Sequence, residues 1–218
     1  FEDRQLSNDC KAAEKKLVKA ASKVYKKFLA SCPAPDAPGS KQVTALMTIT
    51  GLIDAPKADK EFLSINGAQG FSTFYGYYML EAMAMAGNYQ GALDVIREYW
   101  GAMIDLGATS FWEDFDINWI PNAAPIDELV PEGKKDIHGD CGAYCYVGFR
   151  HSLCHGWASG PASWLSRHIL GVEVIEPGCR QVRITPHLGD LQWVKGTFPT
   201  PYGELQIYHE KQANGNVI

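Results

Sequence analysis

A carboxylate flanked by aromatic rings stands near the middle of the chain, in the run Phe111-Trp112-Glu113-Asp114. A histidine and another tryptophan follow in the run Ser152-Leu153-Cys154-His155-Gly156-Trp157. Enzymes that hydrolyse sugars use a carboxylate to activate water, aromatic rings to stack on a pyranose and polar groups to hold its hydroxyls. Glu113 is therefore the leading candidate for a catalytic residue, although spacing alone favours a solvated acidic loop.

Five further side chains are candidates for substrate binding. His155 could hold a sugar hydroxyl or orient a carboxylate, whereas a lone histidine is more often a hydrogen-bonded core residue. Asp116 lies close to Glu113 in the sequence, and three tryptophans fall in or beside turns, where an exposed ring can stack on a sugar. These tryptophans are Trp112, Trp119 and Trp157. The other three, Trp100, Trp164 and Trp193, are expected in the core.

Composition argues against several other classes of function. The net charge of -5 disfavours nucleic acid as a partner, and the seven lysines from Lys11 to Lys27 are interpreted as the solvated face of a helix. No apolar run reaches about 18 residues, so we expect no membrane span. Hydrolysis by paired carboxylates needs neither metal nor cofactor, and we expect none. Cys141 and Cys145 could be bridged or ligate a metal, but free buried thiols are favoured because no second close pair completes a zinc set.

Helical periodicity dominates the first 170 residues. Leu17 and Val24 lie on the apolar face of the first predicted helix, and Ser40 is a good N-cap for the second, which carries Val43 and Leu46 on its apolar face. A long segment from Asp114 to His151 shows little periodicity and is typical of a lid or binding loop. The predicted helices cover about residues 8–29, 40–53, 72–85, 90–106 and 159–170.

After Gly171 the pattern changes to the period-2 alternation of antiparallel strands. Asn214-Gly215 is a hairpin signal so close to the last residue that we expect its return strand to be absent. The order of elements predicts a mainly α fold. Residues 1–170 would form the C-terminal part of an (α/α)6 barrel, a toroid of six helical hairpins, and residues 171–218 the incomplete start of an antiparallel β-sandwich. Strands are predicted at residues 172–174, 182–184, 193–197 and 205–209.

Four runs of residues are informative in combination. They are Phe71-Ser72-Thr73-Phe74-Tyr75-Gly76-Tyr77-Tyr78, Tyr99-Trp100-Gly101-Ala102-Met103, Gly107-Ala108-Thr109-Ser110-Phe111-Trp112-Glu113 and Ser152-Leu153-Cys154-His155-Gly156-Trp157. Together they resemble the C-terminal part of bacterial α-L-rhamnosidases, the inverting glycoside hydrolase family 78 and its close relatives. The resemblance extends over about residues 40–210.

The resemblance implies an (α/α)6 barrel with a following β-sandwich, and hydrolysis of terminal α-L-rhamnosyl linkages with inversion. It implies that Glu113 is the general base and that His155 lines the sugar pocket. The general acid of this family comes from an earlier barrel segment that nothing in this chain matches. We therefore expect the missing N-terminal part of the same protein to supply it, and the isolated chain to be nearly inactive. The segment between Glu113 and His155 is longer than in the simplest members.

Other classes of function stay open. The chain could be a non-catalytic helical scaffold or carbohydrate-binding fragment, or part of a different (α/α)-barrel enzyme such as a lyase, which the scarcity of basic residues between Glu113 and His155 disfavours. The expected partners are a rhamnose-containing oligosaccharide or glycoside and the rest of the same protein. An incomplete barrel exposes apolar faces, so self-association is also expected. Phe1 in place of methionine indicates a fragment or processed product; export to a bacterial periplasm is compatible with the resemblance, and no residue decides it.

Overall fold

The architecture is mainly helical, with antiparallel hairpins after residue 170. The computed structural model describes residues 3–31, 39–141 and 151–218. Within these ranges the helices are α1 (Arg4–Ser31), α2 (Ser40–Ile49), α3 (Ala55–Ala58), α4 (Gly76–Met85), α5 (Tyr89–Asp105) and α6 (Gly160–Trp164). Helices α3 and α6 continue into π-helical turns, Asp59–Leu63 and Leu165–Ile169, and 3₁₀ turns span Ile117–Trp119, Gly156–Ala158 and Pro177–Cys179.

Three two-stranded ladders complete the described secondary structure. A short parallel ladder joins β1 (Ala123–Ala124) to β2 (Lys135–Asp136). Two antiparallel hairpins follow the last helix: β3 (Val172–Glu176) with β4 (Gln181–Ile184), and β5 (Trp193–Thr200) with β6 (Gly203–Glu210). The prediction of a mainly α chain followed by antiparallel strands is confirmed for the secondary structure.

Helix α5 begins and ends where its sequence signals predict. The Asn88 side chain accepts a hydrogen bond from the Gly91 N–H at 2.9 Å, which satisfies one of the free amides of the first turn. Gly107 takes a positive φ of 88° just beyond the helix, and the Ala108 N–H donates to the Met103 carbonyl at 2.9 Å. Helix α4, joined to α5 by a short turn, packs against α2, α5 and α6 and so lies at the centre of the helical part.

The main core surrounds α4 and α5, and two tryptophans are buried in it as predicted. Trp164 is fully buried and donates its indole N–H to the Leu80 carbonyl at 3.0 Å. Trp100 donates to the Ala158 carbonyl at 3.1 Å. Both indoles therefore bury a large apolar surface without leaving a polar atom unsatisfied.

The buried face of α2 differs from the prediction. Gly39, and not Ser40, holds the N-cap position, and Leu46 is 40% exposed although we expected it on the buried face. The side chains that are buried instead are mostly polar: Ser40, Lys41, Thr44 and Thr48. Burial of such groups is tolerable where they find partners, as when Lys41 Nζ donates to the Gly67 carbonyl at 2.7 Å.

The apolar face predicted for α1 is also largely uncovered. Leu17 is 69% and Val24 63% exposed, and Tyr25 is the buried residue of this helix among its described side chains. The lysines are exposed, as predicted. A groove of about 740 Å³ runs between α1 and α2, and Leu17 and Leu46 are among the residues that line it.

Two expectations about the hairpins are wrong. Trp193 is 60% exposed, because it pairs with Glu210 on the outer face while Val194 and Phe198 of the same strand pack on the small core around Ile207. The turn at Asn214-Gly215 does have a return segment, since Glu210 and Ile218 exchange two backbone hydrogen bonds of 3.0 Å.

The connection between β4 and β5 lies against α5. The His187 ring stacks on Tyr89 with centroids 3.7 Å apart, and Arg97 pairs with Asp190 at 2.8 Å. Burial, with His168 nearby, lowers the pKa of His187. None of the helices in the described ranges combines the length and apolar composition needed to cross a lipid bilayer.

Candidate active site

The backbone of Glu113 is fixed by three separate segments. The Glu113 N–H donates to the Ser152 carbonyl at 2.8 Å, and the His155 N–H donates to the Phe111 carbonyl at 2.7 Å, so residues 111–113 pair with residues 152–155. The Glu113 carbonyl accepts from Thr73 Oγ1 at 2.7 Å and from Trp157 Nε1 at 2.8 Å. The start of α4 and the turn before α6 therefore position this residue together.

The Glu113 carboxylate has one oxygen held and one facing a histidine. Its Oε2 accepts from the Ser152 N–H at 2.7 Å. Its Oε1 is 3.8 Å from His155 Nδ1, too far for a direct hydrogen bond. The side chains of Glu113 and His155 are 17% and 34% exposed. The carboxylate is thus oriented by the backbone and partly sheltered from solvent.

Exposed aromatic rings lie beside this pair. The Trp157 ring is 4.3 Å from the His155 ring and 5.8 Å from the Phe74 ring, measured between centroids. Tyr78 is 5.8 Å from Phe74. Trp157 is 43% and Phe74 40% exposed, so solvent reaches both rings.

Three of the predicted site residues come together, and one prediction is wrong. Glu113, His155 and Trp157 are in contact, as described above. Trp112 is fully buried and packs against Phe115 at 5.9 Å. It lies next to Glu113 in a segment paired with residues 152–155, where consecutive side chains point to opposite faces. A buried ring offers no face to a sugar, so the expected exposure of Trp112 is not found.

Asp116 and Trp119 lie further along the same loop. The exposed Asp116 accepts at Oδ1 from the Asn118 N–H at 2.9 Å and from Asn118 Nδ2 at 2.7 Å, which makes it the cap of the 3₁₀ turn. Trp119 is half-buried, with its ring 5.9 Å from Phe115. Sugar binding by these two residues stays a prediction.

A buried histidine follows at the end of the long loop. His151 is 1% exposed, and its ring lies 6.0 Å from the rings of Trp119 and His138. Burial lowers its pKa, and the nearby Asp114 carboxylate opposes that shift. Residues 3–31, 39–141 and 151–218 contain no grouping of three or more His, Cys, Asp or Glu side chains that could hold a metal ion. Cys141 is buried, and its predicted neighbour Cys145 lies outside the described residues.

Sequence reasoning missed the residues that support Glu113. Thr73 is buried, and its hydroxyl donates to the Glu113 carbonyl. Ser152 acts through its backbone N–H, for which no side-chain signal exists. Phe74 lies within the predicted helix of residues 72–85 and is 40% exposed. The crowding of four aromatic residues at positions 74, 75, 77 and 78 was the available signal for an exposed surface.

Comparison with known proteins finds one family model and several solved structures that are similar to the chain. Residues 171–217 match the family model of the bacterial alpha-L-rhamnosidase C-terminal domain. The structure of the GH78 family rhamnosidase of Bacillus sp. GL1 is similar over 81% of the chain, with 26% identity and a TM-score of 0.59. The chain resembles the C-terminal part of α-L-rhamnosidases. The resemblance drawn from the sequence is thereby confirmed.

Other α-L-rhamnosidases share the fold at lower identity. The enzyme of Streptomyces avermitilis, solved with L-rhamnose, is 19% identical over 79% of the chain, and that of Aspergillus terreus is 21% identical over 78%. Both give a TM-score of 0.59. The chain spans 17%, 16% and 19% of the length of these three rhamnosidases, in the order named. No curated protein sequence matches the chain.

Proposed function

We propose that this chain contributes the general base, Glu113, to an inverting glycoside hydrolase that removes terminal α-L-rhamnosyl residues. The proposal rests on the placement of the Glu113 carboxylate. One oxygen is anchored on the Ser152 N–H, the other faces His155, and the exposed Trp157 ring adjoins them. The likeness to α-L-rhamnosidases supports the choice of sugar.

Each residue has a defined role in this proposal. Glu113 takes a proton from a water molecule as the water oxygen attacks the anomeric carbon. A carboxylic acid from the preceding part of the same protein protonates the glycosidic oxygen, and the two carboxyl groups stand about 6.5–9.5 Å apart to admit the water. His155 holds a sugar hydroxyl, and the exposed face of Trp157 packs against the ring of the sugar.

The domain organisation belongs to the same proposal. Residues 1–170 are the C-terminal part of an (α/α)6 barrel, and residues 171–218 begin a β-sandwich. The central position of α4 against α2, α5 and α6 supports the first statement. The change to antiparallel hairpins at Val172 and the family match over residues 171–217 support the second.

The variant Glu113→Gln tests the catalytic role in the full-length polypeptide. Glutamine keeps an oxygen to accept the Ser152 N–H but cannot take a proton, so turnover of an aryl α-L-rhamnoside should fall by about 10²–10⁴-fold with unchanged thermal stability. Glu128→Gln, at an exposed glutamate of the same loop, is the matched control. Nuclear magnetic resonance of the first-formed sugar should show the inverted anomer. Turnover within a few-fold of wild type would remove Glu113 from the mechanism.

A sugar-binding role without catalysis is the second candidate, favoured by the exposure of the aromatic rings at Phe74 and Trp157. It predicts that the full-length polypeptide binds L-rhamnose but releases none from an aryl rhamnoside. Release that depends on Glu113 would exclude this candidate.

The proposed partner of the groove between α1 and α2 is the preceding part of the same protein. Leu17 and Leu46 line this groove of about 740 Å³ and are 69% and 40% exposed, and large exposed apolar surfaces are usually covered by a partner. The isolated chain should therefore self-associate in light scattering, and Leu17→Glu should shift it toward monomer. Lys15→Glu, outside the groove, is the control. A monodisperse wild-type monomer would contradict this proposal.

A further inference from the structure

A cavity lies next to the candidate active site and shares one residue, Trp157, with it. It has a volume of about 220 Å³ and lies between the starts of α4 and α6. Trp157 lines it and also contacts the His155 ring and donates to the Glu113 carbonyl. Trp157 therefore borders both the cavity and the pair formed by Glu113 and His155.

The lining of this cavity combines aromatic rings with hydroxyl groups. Phe74, Tyr78 and Trp157 provide the rings, and Phe74 stands at the centre, 5.8 Å from each of the other two. Ser159 and Ser163 provide hydroxyls on the α6 side. A pyranose presents apolar C–H faces and polar hydroxyl edges. The rings can pack on the faces, and the serine oxygens can accept hydrogen bonds from the sugar hydroxyls.

The floor of the cavity is formed by close packing of α4 against α6. Gly160 faces Tyr77 so closely that a Cβ at position 160 would come 2.6 Å from Tyr77 Cβ. Ser163 and Arg167 lie close to the Tyr77 hydroxyl, and burial raises the pKa of Tyr77. Helices α4 and α6 thus pack closely beneath the cavity.

We propose that this cavity binds the second sugar ring of a rhamnose-containing oligosaccharide, the ring to which the terminal residue is linked. The volume suits one ring, since pockets for larger ligands measure about 300–1,000 Å³. This inference rests on the proposed function for the identity of the neighbouring sugar, but the cavity and its lining do not depend on the role of Glu113.

Calorimetric titration of the 218-residue chain tests the proposal with three probes: L-rhamnose, an α-L-rhamnosyl-glucose disaccharide and p-nitrophenyl α-L-rhamnoside. The disaccharide should bind about tenfold more tightly than L-rhamnose, the upper range for one additional aromatic contact. Ser163→Phe fills the cavity and should abolish the tenfold gain while L-rhamnose affinity stays within twofold. Phe74→Ala removes the central ring and should abolish the same gain. Trp193→Ala, at an exposed tryptophan of β5, should change nothing.

Several results would overturn the inference. These are equal affinity for L-rhamnose and the disaccharide, absence of disaccharide binding, a gain that survives Phe74→Ala in a chain with unchanged circular dichroism, or an equal gain from the nitrophenyl group. The result of this binding experiment can be distinguished from the result of the turnover experiment that tests the proposed function. If Glu113→Gln leaves turnover intact while Phe74→Ala abolishes the disaccharide gain, the catalytic role fails and the sugar cavity stands.

Discussion

Lys41 should make the chain more stable at alkaline pH than at neutral pH. The residue is 2% exposed, and its Nζ lies 5.2 Å from the centre of the Phe71 ring and 2.7 Å from the Gly67 carbonyl. Burial lowers the pKa of Lys41 from its usual 10.5 to about 8, and attraction to Glu98 offsets part of that shift. Keeping the buried ammonium charged therefore costs free energy at neutral pH.

The direction and size of the effect follow from this difference in pKa. Between about pH 8 and 10.5 the unfolded chain keeps the proton that the folded chain has lost, so the free energy of unfolding rises with pH across this window. Below about pH 8 both states are protonated and the full cost is present. A difference of about 2.5 in pKa corresponds to about 3 kcal/mol, of which about 2 kcal/mol is recovered by pH 9.5.

Urea denaturation at pH 7 and pH 9.5, for wild type and Lys41→Met, measures the effect. Other groups titrate in the same window, so the quantity of interest is the change in the difference between the two proteins. Between pH 7 and pH 9.5 the free energy of unfolding of wild type should rise by about 2 kcal/mol relative to that of Lys41→Met. Lys57→Met, at an exposed lysine of α3, should show no such change. Parallel pH dependence of wild type and Lys41→Met would refute the reasoning.

Three further substitutions have defined outcomes. Gly171 has a φ of +78°, and a Cβ there would come 2.4 Å from the backbone just after β4, so Gly171→Ala should lower the free energy of unfolding by more than about 2 kcal/mol. Gly178 has a similar φ but open space around it, so Gly178→Ala should lower the free energy of unfolding by about 1 kcal/mol. Equal losses in the two variants would contradict the steric argument. Trp164→Phe removes a buried, hydrogen-bonded indole and should cost about 2 kcal/mol in chemical denaturation, against less than about 0.5 kcal/mol for Trp193→Phe at the exposed site. Thr73→Val should reduce rhamnoside turnover roughly tenfold in the full-length polypeptide, because valine lacks the hydroxyl that donates to the carbonyl of the proposed base. Thr73→Ser keeps a hydroxyl and should restore turnover. Unchanged turnover in the valine variant would show that this bond does not position the base.

The sequence was sufficient wherever structure is decided locally. The bounds of α5 follow from Asn88 and Gly107, which act within one turn of the helix ends. The hairpins follow from period-2 alternation, since a strand shows one side chain in two to each face. Both signals depend on residues that are near neighbours in the chain.

Prediction failed where distant partners decide which face is buried. The buried side of α2 carries Lys41, whose partners at Gly67 and Glu98 belong to other segments, so the helix buries polar groups that periodicity assigns to solvent. Trp112 and Glu113 are neighbours, and the pairing of their segment with residues 152–155 decides which of them is buried. Nothing within residues 111–113 carries that information.

Three of the residues that hold Glu113 also determine when its surroundings can form. Its partners Ser152, Thr73 and Trp157 are 39, 40 and 44 residues away along the chain. Contacts between distant residues carry a loop-closure cost that must be met before they stabilise anything, so they form late in folding. Helices α4 and α5 can therefore assemble before the carboxylate has its final neighbours. A short peptide around Glu113 would keep its chemical groups and lose their arrangement.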